Sequence, residues 1–304
     1  MASPRMWNLI SGLTLCLFTA GLPMLAEGGE KPWHVDVTAG FEYNDNLTRP
    51  EKDIVSGDSD IAGVFELSGG YRFLDTPDFK LEGNYDFYQS LYADRSDFNF
   101  QSHTFNLGGS TERGNTDFGV DIAYTNSNLD GDDFMELFMF LPRMGIQFSP
   151  ALYTDLIYMY QNKDFDTESR RDADQHSIGM TQFLFFMDSK AYLSGSYRLA
   201  SEDARGAEFD YLANILRAAL KVPGPFETLL NASYEFNYRN YDHTTPSIGK
   251  EREDKINTLK AGLSKKLTEP FDLGFNYQYT NNDSNLPSVD YSENIVTIAL
   301  GAHF

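Results

Sequence analysis

Residues 231–240, NASYEFNYRN, place apolar and polar side chains in strict alternation. The apolar residues, from Ala232 to Tyr238, fall on one face of this segment, and the residues between them are polar. Because the side chains of a β-strand point alternately to its two faces, a period of two predicts a strand with one apolar and one polar face. The same alternation recurs in FKLEGNYDF at 79–87 and in FDLGFNYQY at 271–279. The chain is therefore expected to be rich in two-faced strands.

Such segments recur about fourteen times, and the connections between them alternate in length. Tight turns such as DTPD and TEP alternate with longer, acidic connections such as LDGDD, KDFDTESRRDAD and YDHTTPSIGKERED. This alternation is typical of outer-membrane barrels, with short turns in the periplasm and long loops outside the cell. We predict an all-β fold, a transmembrane antiparallel up-and-down β-barrel of about fourteen strands. The predicted strands begin near Trp33, Ile61, Phe79, Phe98, Asp117, Phe134, Leu152, Gln175, Lys190, Phe209, Glu227, Lys255, Phe271 and Ser292.

Composition limits the possible partners of the chain. Its formal net charge of -21 excludes a general affinity for nucleic acid, because phosphate binding needs a basic face. The 18 Tyr and 24 Phe residues suit either a half-buried strand surface or aromatic girdles at the level of lipid headgroups. The candidate girdle residues are Tyr43, Tyr71, Phe73, Phe148, Tyr158, Tyr160, Tyr238, Tyr241 and Phe271.

The first residues have the organisation of a secretory signal peptide. Arg5 lies in a short basic head, an apolar middle begins near Leu9, and cleavage is expected after Ala26, with Ala20 as the alternative. The only cysteine, Cys16, lies in this segment, so the mature chain is expected to use no thiol chemistry. No run of about 18 apolar residues follows that could form a membrane-spanning helix. The expected organisation is a signal peptide at 1–26, a short N-terminal segment at 27–32 and an outer-membrane β-barrel at 33–304.

The chain ends on IVTIALGAHF, residues 295–304, in which every second residue is apolar. The residues expected to face outward are Val296, Ile298, Leu300 and the terminal Phe304. This pattern resembles the C-terminal signal of outer-membrane barrels. The resemblance implies export to the outer membrane of a Gram-negative cell. It also implies contact with the barrel-assembly machinery during biogenesis and with outer-membrane lipids and lipopolysaccharide afterwards.

The polar faces of the predicted strands differ in charge along the chain. The candidate pore-lining residues are Glu82, Asp86, Asp121 and Asp155 on early strands, and Arg198, Arg217, Arg239 and Lys260 on later ones. Acidic and basic walls that face each other create a transverse field, which selects dipolar or charged solutes. A salt-bridged, plugged interior is the alternative. About fourteen strands favour a narrow open pore, because barrels of sixteen or more strands enclose an aqueous channel.

Residues 134–148 and 177–187 are apolar on both predicted faces. An apolar stripe in the lumen, comprising Leu137, Met139, Leu141, Leu184 and Phe186, is one interpretation. The favoured interpretation is that an inward loop packs on this region, or that a bulge near Pro142 changes the strand phase.

Candidate catalytic residues are few. Asp132, Asp133, Asp242 and His243 on predicted loops are similar to the Asp-Asp and Asp-His set of omptin proteases. Omptin barrels are smaller, however, and paired acids are common in loops. His176 and its neighbour Ser177 would point to opposite faces of a strand and so could not act together. We expect no enzymatic activity, no cofactor and no metal site.

The segment GFEYNDNLTRP at 40–50, followed by SGDSD at 56–60, resembles the first strand and loop of the barrel in surface lipoprotein assembly modifiers. By size and strand count the chain also resembles a fourteen-stranded general porin. We expect a channel for passive diffusion of small polar solutes through a charged lumen. The alternative is a conduit or scaffold for export of a polysaccharide or surface protein, with a partner filling the barrel.

Overall fold

The computed structural model describes residues 31–304. Fourteen strands form one closed antiparallel barrel in which sequential strands pair and the last pairs with the first. These strands are β1 (Trp33–Asn44), β4 (Asp60–Asp75), β5 (Lys80–Tyr92), β6 (Phe100–Arg113), β7 (Thr116–Leu129), β8 (Asp132–Ser149), β9 (Leu152–Phe165), β10 (Ala173–Phe186), β11 (Ala191–Ala204), β12 (Tyr211–Pro223), β13 (Thr228–Thr245), β14 (Lys250–Thr268), β15 (Phe271–Ser284) and β16 (Tyr291–His303). The predicted fold class is confirmed.

Two short strands, β2 (Thr48–Arg49) and β3 (Ile54–Val55), pair with each other between β1 and β4. The described chain also contains 3₁₀ turns, but no helix of sufficient length and apolarity to traverse a bilayer. The predicted signal peptide at 1–26 and most of the segment at 27–32 lie outside the described residues.

Barrel closure joins the two ends of the described chain. β1 and β16 pair without a register shift, and the backbones of Val35 and Phe304 exchange hydrogen bonds of 2.9 and 3.3 Å. The ring nitrogens of His303 lie 2.7 Å from carboxylate oxygens of Asp36 and Asp272, which ties β16 to both neighbouring strands. Closure leaves no unpaired strand edge, so the barrel satisfies its backbone hydrogen bonds without water.

The two ends of the barrel differ. One end, here called the turn end, carries both ends of the described chain and the connections 76–79, 114–115, 150–151, 187–190, 224–227 and 269–270. The opposite end, here called the loop end, carries the connections 45–59, 93–99, 130–131, 166–172, 205–210, 246–249 and 285–290. Two connections at the loop end are tighter than expected, because β7, β8, β13 and β14 extend into the segments that the sequence assigned to loops. Asp130 and Gly131 form one of these turns, both with positive φ, as a two-residue hairpin requires.

The outer surface carries a band of exposed apolar side chains such as Phe41 and Ile298. Large aromatic side chains are exposed near the turn end, among them Trp33, Tyr71, Phe73, Phe79, Phe118, Phe148, Phe226, Phe271 and Phe304. Tyr241 does not belong to a girdle, contrary to the expectation, because it is only 4% exposed and packs on Tyr211 inside the barrel. β13 continues to Thr245, so strand alternation turns Tyr241 inward.

A ring of cross-strand hydrogen bonds marks the edge of this apolar band nearer the loop end. We call it the tyrosine collar: Tyr85, Tyr158, Tyr197, Tyr234 and Tyr277. Each hydroxyl lies 2.7–2.8 Å from a polar side chain on the next strand. These partners are one position further towards the loop end on the outward face: His103, His176, Asn214, Asn257 and Asn294. Each ring can therefore rest in lipid with its hydroxyl satisfied.

Candidate functional site

The lumen brings together most of the candidate pore-lining residues. Those that line its cavities are Asp86, Asp121, Asp155, Arg198, Arg217, Arg239 and Lys260. Glu82 lies elsewhere, opposite Arg72 in the register of β4 and β5, with the two side chains 4.0 Å apart. A role of these residues in conduction stays a prediction.

Charge is separated across the lumen. The basic wall consists of Arg198, Arg217, Arg239 and Lys260, one from each of the consecutive strands β11 to β14. The acidic wall consists of Glu42, Glu66, Asp86, Asp121, Asp155 and Glu293, from strands on both sides of the β1–β16 seam and as far round as β9. Walls of opposite sign create a field across the barrel rather than along it.

At least three cavities lie in the lumen between the described residues. The largest, about 470 Å³, lies towards the turn end and reaches His303 near the end of β16; we call it the turn-end cavity. Two smaller cavities of about 170 and 140 Å³ lie towards the loop end. Arg198 lines all three cavities. Arg217 and Glu235, which are paired in the register of β12 and β13, line the turn-end cavity and the cavity of about 170 Å³. These three side chains therefore mark the junction between the two halves of the lumen.

The connection 45–59, here called the inserted loop, folds into the mouth of the barrel at the loop end. Leu47 is fully buried in an apolar cluster with Val64, Tyr92 and Phe98. The hydroxyl of Thr48 donates to Glu293 on β16 at 3.1 Å. The base of the loop is thus fixed to the barrel wall by apolar packing and by a buried hydrogen bond.

The middle of the inserted loop crosses the lumen over aromatic side chains. The guanidinium of Arg49 lies 5.4 Å from the ring centre of Phe98 and 5.6 Å from that of Phe100. The ammonium of Lys52 lies 5.1 Å from the ring centre of Phe134 on β8. Cation–π contacts of this kind each contribute about 0.5–2 kcal/mol, depending on exposure.

The tip of the inserted loop is fixed to the far wall by Asp53. Its carboxylate accepts hydrogen bonds from Arg171, at 2.7 Å, and from Arg252 on β14, at 3.0 Å. Asp53 has a φ of 54°, a left-handed conformation that aspartate tolerates better than most residues. We call these three residues the Asp53 anchor. It holds the loop across the loop end of the lumen by joining it to β14 and to the connection 166–172, which lies across the barrel from β1.

Buried partners hold Arg252 in place. The side chain of Arg252 is only 6% exposed, and its guanidinium contacts both oxygens of Asp254 at 2.8–3.0 Å. Ser284 donates to the same carboxylate at 2.6 Å, and the ring centre of Tyr241 lies 4.7 Å from the guanidinium. A buried, bidentate pair fixes the direction of the guanidinium. Arg252 is therefore preorganised to receive Asp53.

A second network supports the basic wall. Glu202 on β11 accepts hydrogen bonds from Lys163 at 2.5 Å, Gln175 at 2.7 Å and Tyr211 at 2.8 Å. The guanidinium of Arg239 lies 5.1 Å from the ring centre of Tyr211. Since one carboxylate receives three donors, this part of the wall is held rigid.

The apolar stripe differs from its predicted composition. Leu137, Met139 and Leu141 on β8 face the turn-end cavity. Leu184 and Phe186 are exposed on the outer surface, so their assignment to the lumen was wrong. Where both faces of a strand are apolar, the alternation does not show which residues face inward. In β10 the odd-numbered residues face inward. The register runs evenly past Pro142, and the inserted loop shares a cavity with Leu137, which agrees with an inward loop packing on this region.

The candidate catalytic residues lie apart. Asp132 and Asp133 begin β8, whereas Asp242 and His243 belong to β13, and four strands separate these elements in the barrel. The ring of His243 is 3.5 Å from a carboxylate oxygen of Asp210. His176 faces outward in the tyrosine collar, whereas Ser177 is buried in the barrel. Among residues 31–304, no group of three or more His, Cys, Asp or Glu side chains could hold a metal ion.

Two further predicted features concern the surface. Ile298, Leu300 and Phe304 are exposed on the outside of the barrel, and Val296 is partly exposed. Their recognition by an assembly machinery stays a prediction. In the loop 93–99, a hydrogen bond from the guanidinium of Arg95 lowers the pKa of Asp97, so this loop carries its negative charge over the whole physiological range.

The residues of the Asp53 anchor were missed in the sequence. Arg252 and Asp254 lie in a segment interpreted as an external loop. Residues 250–255, KEREDK, are all charged, so the segment has no alternation of polar and apolar residues that could have indicated a strand.

Comparison with known proteins gives the chain its family. The family model of the surface lipoprotein assembly modifiers matches residues 76–304. The chain belongs to the surface lipoprotein assembly modifier family. This confirms the resemblance seen in the sequence, although the inserted loop precedes the matched residues. No protein of curated function is significantly similar to the chain in sequence.

Solved structures share the barrel fold of this family member. An anion-selective porin from Comamonas acidovorans is similar with a TM-score of 0.53 at 11% identity, covering 90% of this chain and 98% of the porin. The outer-membrane protein OmpT of Vibrio cholerae, with loop L8 deleted, gives a TM-score of 0.52 at 13% identity, covering 90% and 100%. At these identities the similarity establishes the fold.

Proposed function

We propose that the protein is an outer-membrane conduit for assembly of lipoproteins at the cell surface, closed at rest by its inserted loop. Its family supports the role in lipoprotein assembly. The carrying observation is the Asp53 anchor, which holds the loop across one mouth while the largest cavity extends to the other end. By the usual orientation of such barrels, the turn end faces the periplasm.

Export through a predicted signal peptide and residence in the outer membrane, in contact with lipids, lipopolysaccharide and the assembly machinery, are part of this proposal. A client would engage the turn-end cavity first and displace the inserted loop afterwards. Opening requires that the client interact more favourably with the open barrel than with the closed one. The charged walls offer polar contacts to a polypeptide segment in the lumen.

The test is surface display of lipoproteins in a strain that lacks the protein. Protease treatment of intact cells should degrade the exposed lipoproteins in the parent strain and spare them in the deletion strain, with equal total amounts in both. An unrelated outer-membrane barrel, probed in the same cells, controls for general envelope damage. Equal protease sensitivity of every surface lipoprotein in the two strains would reject the proposal.

Passive diffusion of small polar solutes is the second candidate function. The charged walls of the lumen favour it, since a transverse field selects polar solutes. Liposome swelling with sugars and amino acids separates the two functions. Swelling by the wild-type barrel alone would favour the passive channel, whereas swelling only after release of the inserted loop would favour the closed conduit.

A further inference from the structure

The turn-end cavity has the volume of a ligand site rather than of a passage. Its volume of about 470 Å³ falls within the range of about 300–1,000 Å³ that is common for small-molecule pockets. It is lined by inward side chains from both charged walls and by the apolar stripe on β8. The lining therefore combines three chemical characters within one space.

One side of the turn-end cavity is apolar. Leu137, Met139 and Leu141 on β8 lie beside Ile157 and Met159 on β9, and all five line the cavity. The interior of a water-filled outer-membrane channel is normally polar. Contiguous apolar side chains on two neighbouring strands instead suit the apolar part of a ligand, because its burial removes water from both surfaces.

The charge lining the cavity is mainly negative. Seven carboxylates line it against two guanidinium groups: Asp36, Glu66, Asp86, Asp121, Asp155, Glu235 and Asp272, and Arg198 and Arg217. Some of these carboxylates already have cationic partners. His303 bridges Asp36 and Asp272, and Arg143 lies 4.0 Å from Asp121.

Three further carboxylates of the lining lie on different strands: Glu66 on β4, Asp86 on β5 and Asp155 on β9 beside the apolar stripe. Within the described part of the chain, no ion pair of 4 Å or less joins Glu66, Asp86 or Asp155 to a basic side chain, although Ser68 donates a hydrogen bond to Asp86 and the positive charge of Arg143 acts on Asp155. One carboxylate oxygen of Asp155 is buried with no hydrogen-bond partner among residues 31–304. A buried oxygen without a hydrogen bond is costly, and a bound cation would reduce that cost.

We infer that the turn-end cavity binds a ligand that joins a cationic group to an apolar body. The excess of carboxylates in the lining attracts the cation, and the apolar body lies on the stripe of Leu137, Met139 and Leu141. Anions are repelled by the same carboxylates, and a small cation gains nothing from the stripe. If the proposed conduit function holds, the natural ligand is a client segment in which Lys or Arg neighbours apolar residues.

Benzyltrimethylammonium is a suitable probe, because it unites a cation with one aromatic ring and is too small to form micelles. Its binding to the purified barrel in nanodiscs is measured by saturation-transfer NMR. Benzoate, which keeps the ring, and tetramethylammonium, which keeps the cation, are the matched control compounds. We expect each control to bind at least about tenfold more weakly, which corresponds to about 1.4 kcal/mol.

Variants locate the site. Glu66→Gln combined with Asp155→Asn should weaken binding of the probe about tenfold or more, and both changes remove charge without removing volume. Glu136→Gln combined with Asp164→Asn removes two carboxylates that are exposed outside the barrel, so binding should be unchanged. Gel mobility before and after heating confirms that each variant is folded.

Equal binding of benzoate and the probe, or equal binding by the two double variants, would overturn the inference. Surface display of lipoproteins is assayed separately. If the probe does not bind but display of lipoproteins still depends on the protein, only the cation site is rejected. If the probe binds to the barrel but deletion of the protein leaves display of lipoproteins intact, only the conduit function is rejected.

Discussion

Gly145 shows how closely single residues fit inside the barrel. The hydroxyl of Tyr153 donates to both carboxylate oxygens of Asp117, at 3.0 and 3.2 Å, and passes directly over Gly145. A Cβ atom at this position would collide with the Tyr153 hydroxyl and with Asp117. The buried Arg143 lies 3.6 Å from the same carboxylate. The absence of a side chain at residue 145 is therefore a condition for this polar cluster.

We predict that Gly145→Ala destabilises the barrel by about 1–3 kcal/mol, because it overpacks the cluster and displaces Tyr153 from Asp117. Urea unfolding in lipid vesicles measures the change. Gly195→Ala, also within a strand, is the control, because its Cβ would meet no atom within 4 Å. Equal unfolding curves for the two variants would show that Gly145 has no steric role.

At the scale of single elements, the tyrosine collar is a contact that recurs in hairpins whose two strands are joined at the loop end. In each of five hairpins, a tyrosine on the first strand reaches a polar side chain on the second. The repetition follows from constant geometry, because every hairpin crosses the same lipid boundary at the same height. A ring with a satisfied hydroxyl suits that boundary better than either Phe or a smaller polar residue.

Tyr234→Phe should destabilise the barrel by about 1 kcal/mol, because it removes the 2.7 Å hydrogen bond to Asn257 and leaves the amide oxygen of Asn257 without this donor near lipid. The matched control is Tyr71→Phe, at an exposed tyrosine near the turn end whose ring packs against Phe73. Vesicle unfolding again gives the free energies. A loss in both variants would assign the effect to tyrosine in general rather than to the collar.

Strand alternation made the barrel predictable from sequence, because lipid on one side and polar lumen on the other force a period of two. The same reasoning failed locally. Around Leu184 both faces of the strand are apolar, so the sequence does not show which residues face the lumen. At Tyr241 the strand continues beyond the expected end, so an aromatic residue assigned to the girdle turns inward. Strand boundaries and phase depend on neighbouring strands, which a single segment does not encode.

At the scale of the whole molecule, the apolar region 134–148 indicated an inward loop, but nothing in residues 45–59 identified them as that loop. Its polar, acidic composition is that of an exposed loop. Its anchors are far away in the chain, since Asp53 is 118 residues from Arg171 and 199 residues from Arg252. Such contacts arise only once the barrel has closed. The charged walls were predictable because they depend on strand alternation alone.

The basic wall should control ion selectivity once the lumen is open. Arg217→Glu reverses one charge, which changes the energy of an ion about 8 Å away by roughly 1 kcal/mol in water. Measured in a background with the inserted loop released, the cation-to-anion permeability ratio should rise roughly thirtyfold, because the cation gains and the anion loses about fivefold each. Lys255→Glu makes the same charge change on the outer surface and should leave the reversal potential nearly unaltered. Equal shifts in both variants would remove Arg217 from the ion path. Arg239 is another pore-lining candidate, but because its guanidinium packs on Tyr211, Arg217 is the cleaner position to test.

Single-channel conductance in planar bilayers tests the closed lumen most directly. The wild-type barrel should be almost silent. Asp53→Ala should open often, because breaking a buried ion pair costs roughly 3 kcal/mol and so raises the open population about a hundredfold. Asp58→Ala, in the same loop, should behave like the wild type, because its side chain is 61% exposed and its ion pair with Arg95 contributes little. Steady conductance of the wild type, or silence of Asp53→Ala, would contradict closure by the inserted loop.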